Sequence, residues 1–175
     1  MVRQELRTGQ LGRLCAEMNL FSTSTSKKSV ERLSKLDVFS ELTFNQVLEV
    51  SELLHERVYE KGEIVFEEGD IGHGIYVVVS GKVRAETSRD SLRDAIMDFG
   101  PGEALGELSL FEEAPRPATV VAVERTVMVA LFRAEFSALL TKNTKIGVKI
   151  LSKLATTMSQ RVRRLLLRES HQPSL

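Results

Sequence analysis

The chain has 175 residues, with 24 basic and 24 acidic side chains and three histidines. That length accommodates one domain of ordinary size plus extensions, and the balanced charge leaves no global field to draw in nucleic acid or a membrane surface. A single cysteine, Cys15, excludes an internal disulfide, and no apolar run approaches the ~20 residues that span a bilayer, so a cytoplasmic protein is expected.

Residues 1–21 place Leu11, Leu14, Met18 and Leu20 among charges, a short amphipathic helix weakened by Gly9 and Gly12. The polar run 22–29 (STSTSKKS) reads as a linker. Residues 1–29 are therefore expected to be a tail and linker, 30–168 the domain, and 169–175 a second tail. From Val30 the pattern tightens: Val30, Leu33, Leu36 and Phe39 recur at helical spacing. Thr43 and Gln46 form a capping-box signature before a second helix, Phe44 to about His55, whose predicted buried side carries Phe44, Val47, Leu48 and Leu54.

Eight of the eleven glycines lie between Gly62 and Gly106 and separate short apolar or β-branched runs. Strands are expected at 58–59, 64–66, 75–79, 83–87, 95–99, 119–123 and 126–132. Short strands with glycine turns and no intervening helix predict a mainly β fold, an antiparallel roll of the jelly-roll kind, flanked by helices.

Helical spacing returns at Arg133. A short helix carries Phe136, Leu139 and Leu140; a long one, about Lys145 to Arg168, carries a stripe of Ile150, Leu151, Leu154, Ala155, Met158, Val162, Leu165 and Leu166. Arg161, Arg163, Arg164 and Arg168 read as its solvated face. The stripe continues past Met158, so pairing with a second copy or with another protein is expected there. No helix-turn-helix follows in this sequence, and no nucleic-acid partner is predicted.

Chemistry concentrates in 102–122, GEALGELSLFEEAPRPATVVA. A glycine-led turn at Gly106, Glu107, Leu108 and Ser109 offers unpaired N–H groups and the positive end of a small dipole, which suits an anion. Arg116, followed by Pro117 and Ala118, adds a planar charged fork. Glu107, an acceptor only, suits a sugar hydroxyl beside that anion. A phosphate joined to a ribose meets all three demands. No catalytic or metal site is predicted: the expected roll contains one histidine, His73, while His55 falls in a predicted helix and His171 in the tail. Nor is there a dinucleotide fingerprint or a Walker sequence.

The motif GELSLFEEAPRPATVVA, with KGEIVFEEGDIGHGIYVVVSGKV before it, resembles the phosphate-binding cassette and roll of cyclic nucleotide-binding domains. The similarity runs from about Leu36 to about Leu166. It implies a β-roll with N-terminal helices and a C-terminal lid helix, no catalysis, and cAMP as ligand ahead of cGMP. It further implies that the phosphate lies on Gly106 to Ser109, Arg116 and the residues after it, with Glu107 on the ribose. Ala85, Ile96, Met97, Phe99 and Leu105 are candidates for the ribose and base walls, and Leu165 and Leu166 for the lid. One position departs from the family pattern. Pro117 stands where an N–H would help to hold the phosphate, and proline has none. The alternative reading is a domain that has lost its nucleotide and serves as an interaction module.

Overall fold

The computed structural model describes residues 27–89 and 92–169. The expected helix within 1–21 lies outside these residues, as do 170–175 of the expected tail 169–175; Glu169, its first residue, ends the last helix instead. Helix α1 (Lys27–Leu33) begins inside the predicted linker, and a 3-10 turn (Asp37–Phe39) follows it. The apolar period from Val30 to Phe39 is thus divided between two short elements, because Leu36 is extended at φ −72°, ψ 133°. All four apolar residues are nevertheless buried.

Helix α2 (Phe44–Ser51) starts as expected: the Thr43 N–H donates to Gln46 Oε1 at 3.0 Å and the Gln46 N–H to Thr43 Oγ1 at 3.4 Å. It ends before His55, which opens strand β1 (His55–Tyr59) rather than lying in a helix. Pairing of His55 with Ala130 on a neighbouring strand overrides the local helical pattern there. The buried face of α2 is Val47 and Val50, while Phe44 remains 46% exposed and Leu48 also faces solvent, contrary to expectation. Packing of this short helix onto its neighbours, not its own periodicity, selects the face.

The remaining strands are β2 (Ile64–Phe66), β3 (Gly74–Ser80), β4 (Val83–Arg89), β5 (Leu92–Phe99), β6 (Ala104–Leu105), β7 (Thr119–Ala122) and β8 (Thr126–Phe132). They form two antiparallel four-stranded sheets, ordered β1-β8-β3-β6 and β2-β7-β4-β5. The two residues of β6 were not expected as a strand; they pair with Tyr76 and Val77 and deliver the chain to the turn at Gly106.

Alternation along β3 divides the interior in two. Ile75 and Val77 face the helices and join Val129, Leu131, Phe39 and Val50 in one core. Val78, with Tyr76 beside it, faces the inside of the roll with Tyr59, Val83, Phe99, Leu105, Val120 and Met128. Helix α3 (Arg133–Lys142) contributes Phe136 and Leu139 to the first core; helix α4 (Thr144–Glu169) contributes Ile146, Ile150 and Leu154. Each such aliphatic side chain contributes about 1.5–3 kcal/mol by leaving water. The first half of α4 is thereby fixed on the roll. Beyond it, Val162, Leu166 and Leu167 are exposed. No helix among the described residues is long and apolar enough to cross a membrane.

Candidate functional site: a buried arginine beneath a glycine-led turn

Gly106 ends β6 with φ +74°, and a 3-10 turn (Glu107–Leu110) follows at once. A Cβ at Gly106 would be strained in that left-handed conformation and would lie 2.2 Å from Arg116 Nη1. Gly72 makes room in the same way, since a Cβ there would stand 1.9 Å from Ser109 Oγ. The glycines let the 72–74 segment and the 106–109 turn close around one side chain.

That side chain is Arg116, only 5% exposed. Nη1 donates to the Gly106 carbonyl at 3.1 Å and to Ser109 Oγ at 2.8 Å; Nη2 donates to the Gly74 carbonyl at 2.9 Å. Its carbon Cζ stands 4.1 Å from the Phe66 ring centroid and 5.8 Å from that of Tyr76. Burial holds its pKa below the ordinary arginine value, although Tyr76 and Glu107 oppose the shift. These hydrogen bonds run to two carbonyls and a hydroxyl, not to a carboxylate. A cation removed from water in this way gains from a bound counter-charge.

Its backbone is anchored too. The Arg116 N–H donates to Asp70 C=O at 2.8 Å, and Arg116 C=O accepts from Gly69 N–H at 2.9 Å. Pro115 bridges to Ile71, and Pro117 is exposed on the other side. The Ser109 N–H points back to Gly106 C=O at 3.1 Å.

Glu107 sits at the start of the turn and pairs with Arg161 of α4, Oε1 to Nη1, at 2.7 Å. Arg161 also donates to the Ala104 carbonyl and lies over Phe99, 5.1 Å from its centroid. A carboxylate suited to a hydroxyl, a cation suited to an anion and an arm from the last helix therefore meet along one turn. Among the described residues, no group of three or more His, Cys, Asp or Glu is gathered to hold a metal.

This glycine-led turn with a buried arginine coincides with a match to the cyclic nucleotide-binding domain profile over residues 56–143. The chain belongs to that family. Over 105 residues it is 38% identical to the cyclic AMP receptor protein of Thermus thermophilus, covering 59% of this chain and 49% of that protein. The crystal structure of the Thermus thermophilus catabolite activator protein matches with a TM-score of 0.67 and 33% identity, over 77% of this chain and 62% of that one. The regulatory domain of Toxoplasma gondii PKA, crystallised with cAMP, gives 0.58 and 29% identity, over 67% and 46%. This cyclic nucleotide-binding domain thus spans about half the length of its curated Thermus relative.

The expected site residues separate into groups. Gly106, Glu107, Ser109 and Arg116 converge on the turn; Leu108 and Pro117 are exposed beside it, and Ala118 is buried within the roll. Ala85, Leu105 and Phe99 are buried in the core between the sheets, Met97 packs against that core, and Ile96 is exposed. Leu166 is 62% exposed on α4, beside Met158 and Val162; the Leu165 side chain lies outside the described residues.

Arg161 is the main correction. The sequence pattern places it on a solvated face, yet its side chain is 12% exposed and bound to Glu107. Its spacing held a signal: Arg161 is seven residues after the buried Leu154, two turns along the same face. Phe66, Tyr76 and the Gly74 carbonyl had no comparable signal, because only the sheet register brings them to Arg116.

Proposed function

We infer that this domain is a non-catalytic cyclic nucleotide sensor that takes cAMP ahead of cGMP. The observation carrying this reading is Arg116, a buried cation without a carboxylate partner in its hydrogen bonds, set beneath a turn whose glycine admits it. The cyclic phosphate docks on Gly106 to Ser109 and the Arg116 fork, and the ribose hydroxyl on Glu107. Two relatives, a cyclic AMP receptor protein and a kinase regulatory domain crystallised with cAMP, support the choice of nucleotide.

Output passes through α4. Glu107 already binds that helix through Arg161, so a ribose arriving at Glu107 changes what holds the helix. The ligand shifts α4 only by as much as it favours one position over the other. Leu165 and Leu166 serve as lid candidates, and the exposed apolar residues beyond Met158 as a contact for a second copy or another protein. Residues 30–168 form the working domain, in the cytoplasm.

Pro117 favours one second reading, an interaction module without nucleotide, because the proline denies the phosphate one N–H. Calorimetric titration with cAMP, cGMP and cyclic di-GMP separates the two. Saturable binding of cAMP or cGMP is expected; silence with all three at millimolar concentration would leave the interaction module.

A further inference from the structure

Arg133 is the first residue of α3, and its side chain turns away from the helix it opens. Nε donates to the Ser109 carbonyl at 2.7 Å, Nη2 donates to the Gly72 carbonyl at 2.7 Å, and Nη1 pairs with Glu113 at 2.9 Å. Its backbone N–H donates to the His73 carbonyl at 2.8 Å. Arg133 therefore grips the two segments that also hold Arg116, the 72–74 strand entry and the 106–109 turn. Arg116 takes Ser109 by its hydroxyl and Gly74 by its carbonyl; Arg133 takes Ser109 and Gly72 by their carbonyls. The planar fork presents a separate nitrogen to each of the three acceptors, a spread that a single ammonium does not have.

The other end of this link is α4. Helix α3 packs on α4, where Gly147 admits Leu140 so closely that a Cβ would lie 2.4 Å from Leu140 Cδ2. A shift of the Ser109 peptide unit would therefore reach the first turn of α3, and α4 beyond it, through a side chain held at three points. This route is separate from the Glu107–Arg161 pair, since it begins at the phosphate end of the turn.

We propose that Arg133 is a positioning residue for the anion site and the link by which occupation of that site reaches α3 and α4. The coupling half rests on the cyclic nucleotide reading above; the positioning half does not. Arg133→Ala and Arg133→Lys are made in the full chain carrying Cys15→Ser and Arg163→Cys, with a fluorescent label on the new cysteine of α4. Calorimetry reads cAMP affinity, and the label reads the response of α4 at saturation. Arg133→Ala is expected to bind at least about tenfold more weakly and, once saturated, to give a label response well below that of the parent. Arg133→Lys falls between, because it keeps the charge but not the fork. A side chain that merely stabilised the fold would leave the saturated response intact, so a full response in Arg133→Ala overturns the coupling. Hydrogen exchange without nucleotide tests the positioning: amides 106–110 should exchange faster in Arg133→Ala. Unchanged exchange overturns the positioning role. Faster exchange in a protein that binds no cyclic nucleotide supports it and removes the sensor reading instead.

Discussion

Glu107 and Arg161 lie 54 residues apart in the chain and meet at 2.7 Å, with side chains only 13% and 12% exposed. Screening by water is weak at such a pair, and each partner is costly to leave alone. The pair joins the turn of the candidate site to the last helix. Only one carboxylate oxygen of Glu107 is engaged by Arg161 in this pair, so on the proposed reading the other would take the ribose hydroxyl and Arg161 would orient that acceptor.

It follows that Arg161→Ala weakens cAMP binding, by roughly 1.5–3 kcal/mol or about ten- to a hundredfold, the worth of a hydrogen bond to a charged group. The loss should shrink for 2′-deoxy-cAMP, which has no hydroxyl for Glu107. Equal losses for both ligands, measured by calorimetry, would show that Arg161 does not act through the ribose acceptor.

Arg116→Ala should abolish most nucleotide affinity, since removing one partner of a desolvated charged pair costs roughly 2–5 kcal/mol, or on the order of thirty- to several-thousand-fold. Arg116→Lys should fail as well: one ammonium cannot serve Gly74, Gly106 and Ser109 and also fork a phosphate. Parent affinity in a folded Arg116→Ala protein would place the phosphate elsewhere.

Gly106→Ala combines strain at φ +74° with a Cβ 2.2 Å from Arg116 Nη1. A loss of about 1–2 kcal/mol from the left-handed backbone alone lowers the unfolding midpoint by several degrees, and displacement of the guanidinium removes binding besides. Thermal unfolding and titration on the same sample check both. A variant that unfolds at the parent temperature would mean that the turn relaxes.

Pro117 is exposed, so replacing it leaves no hole in the core. Pro117→Ala supplies the missing N–H and should tighten cAMP binding by roughly 1–3 kcal/mol, less whatever rigidity the proline contributed to the free chain. Pro117→Thr adds a hydroxyl and should favour cGMP more than cAMP. Weaker cAMP binding in Pro117→Ala would indicate that the proline holds the segment in its binding shape.

Much of this molecule was determined by local sequence. Glycine spacing and β-branched runs located seven of the strands, because backbone turns and pleated surfaces select residues over a few positions. The turn at Gly106, with Glu107 and Arg116, was legible for the same reason: its chemistry is contained within eleven consecutive residues. Tertiary structure decided what depends on distant partners. His55 joined β1 because Ala130 was there to pair with it, and α2 buried Val47 and Val50 instead of Phe44 because its neighbours chose the face. Arg161 left the solvent for Glu107, and Arg133 reached across to Ser109 and Gly72. Long cationic side chains carry little positional information in sequence: their stems are flexible, and the acceptors that fix them, backbone carbonyls and the Glu107 and Glu113 carboxylates, come together only when the sheets and helices pack.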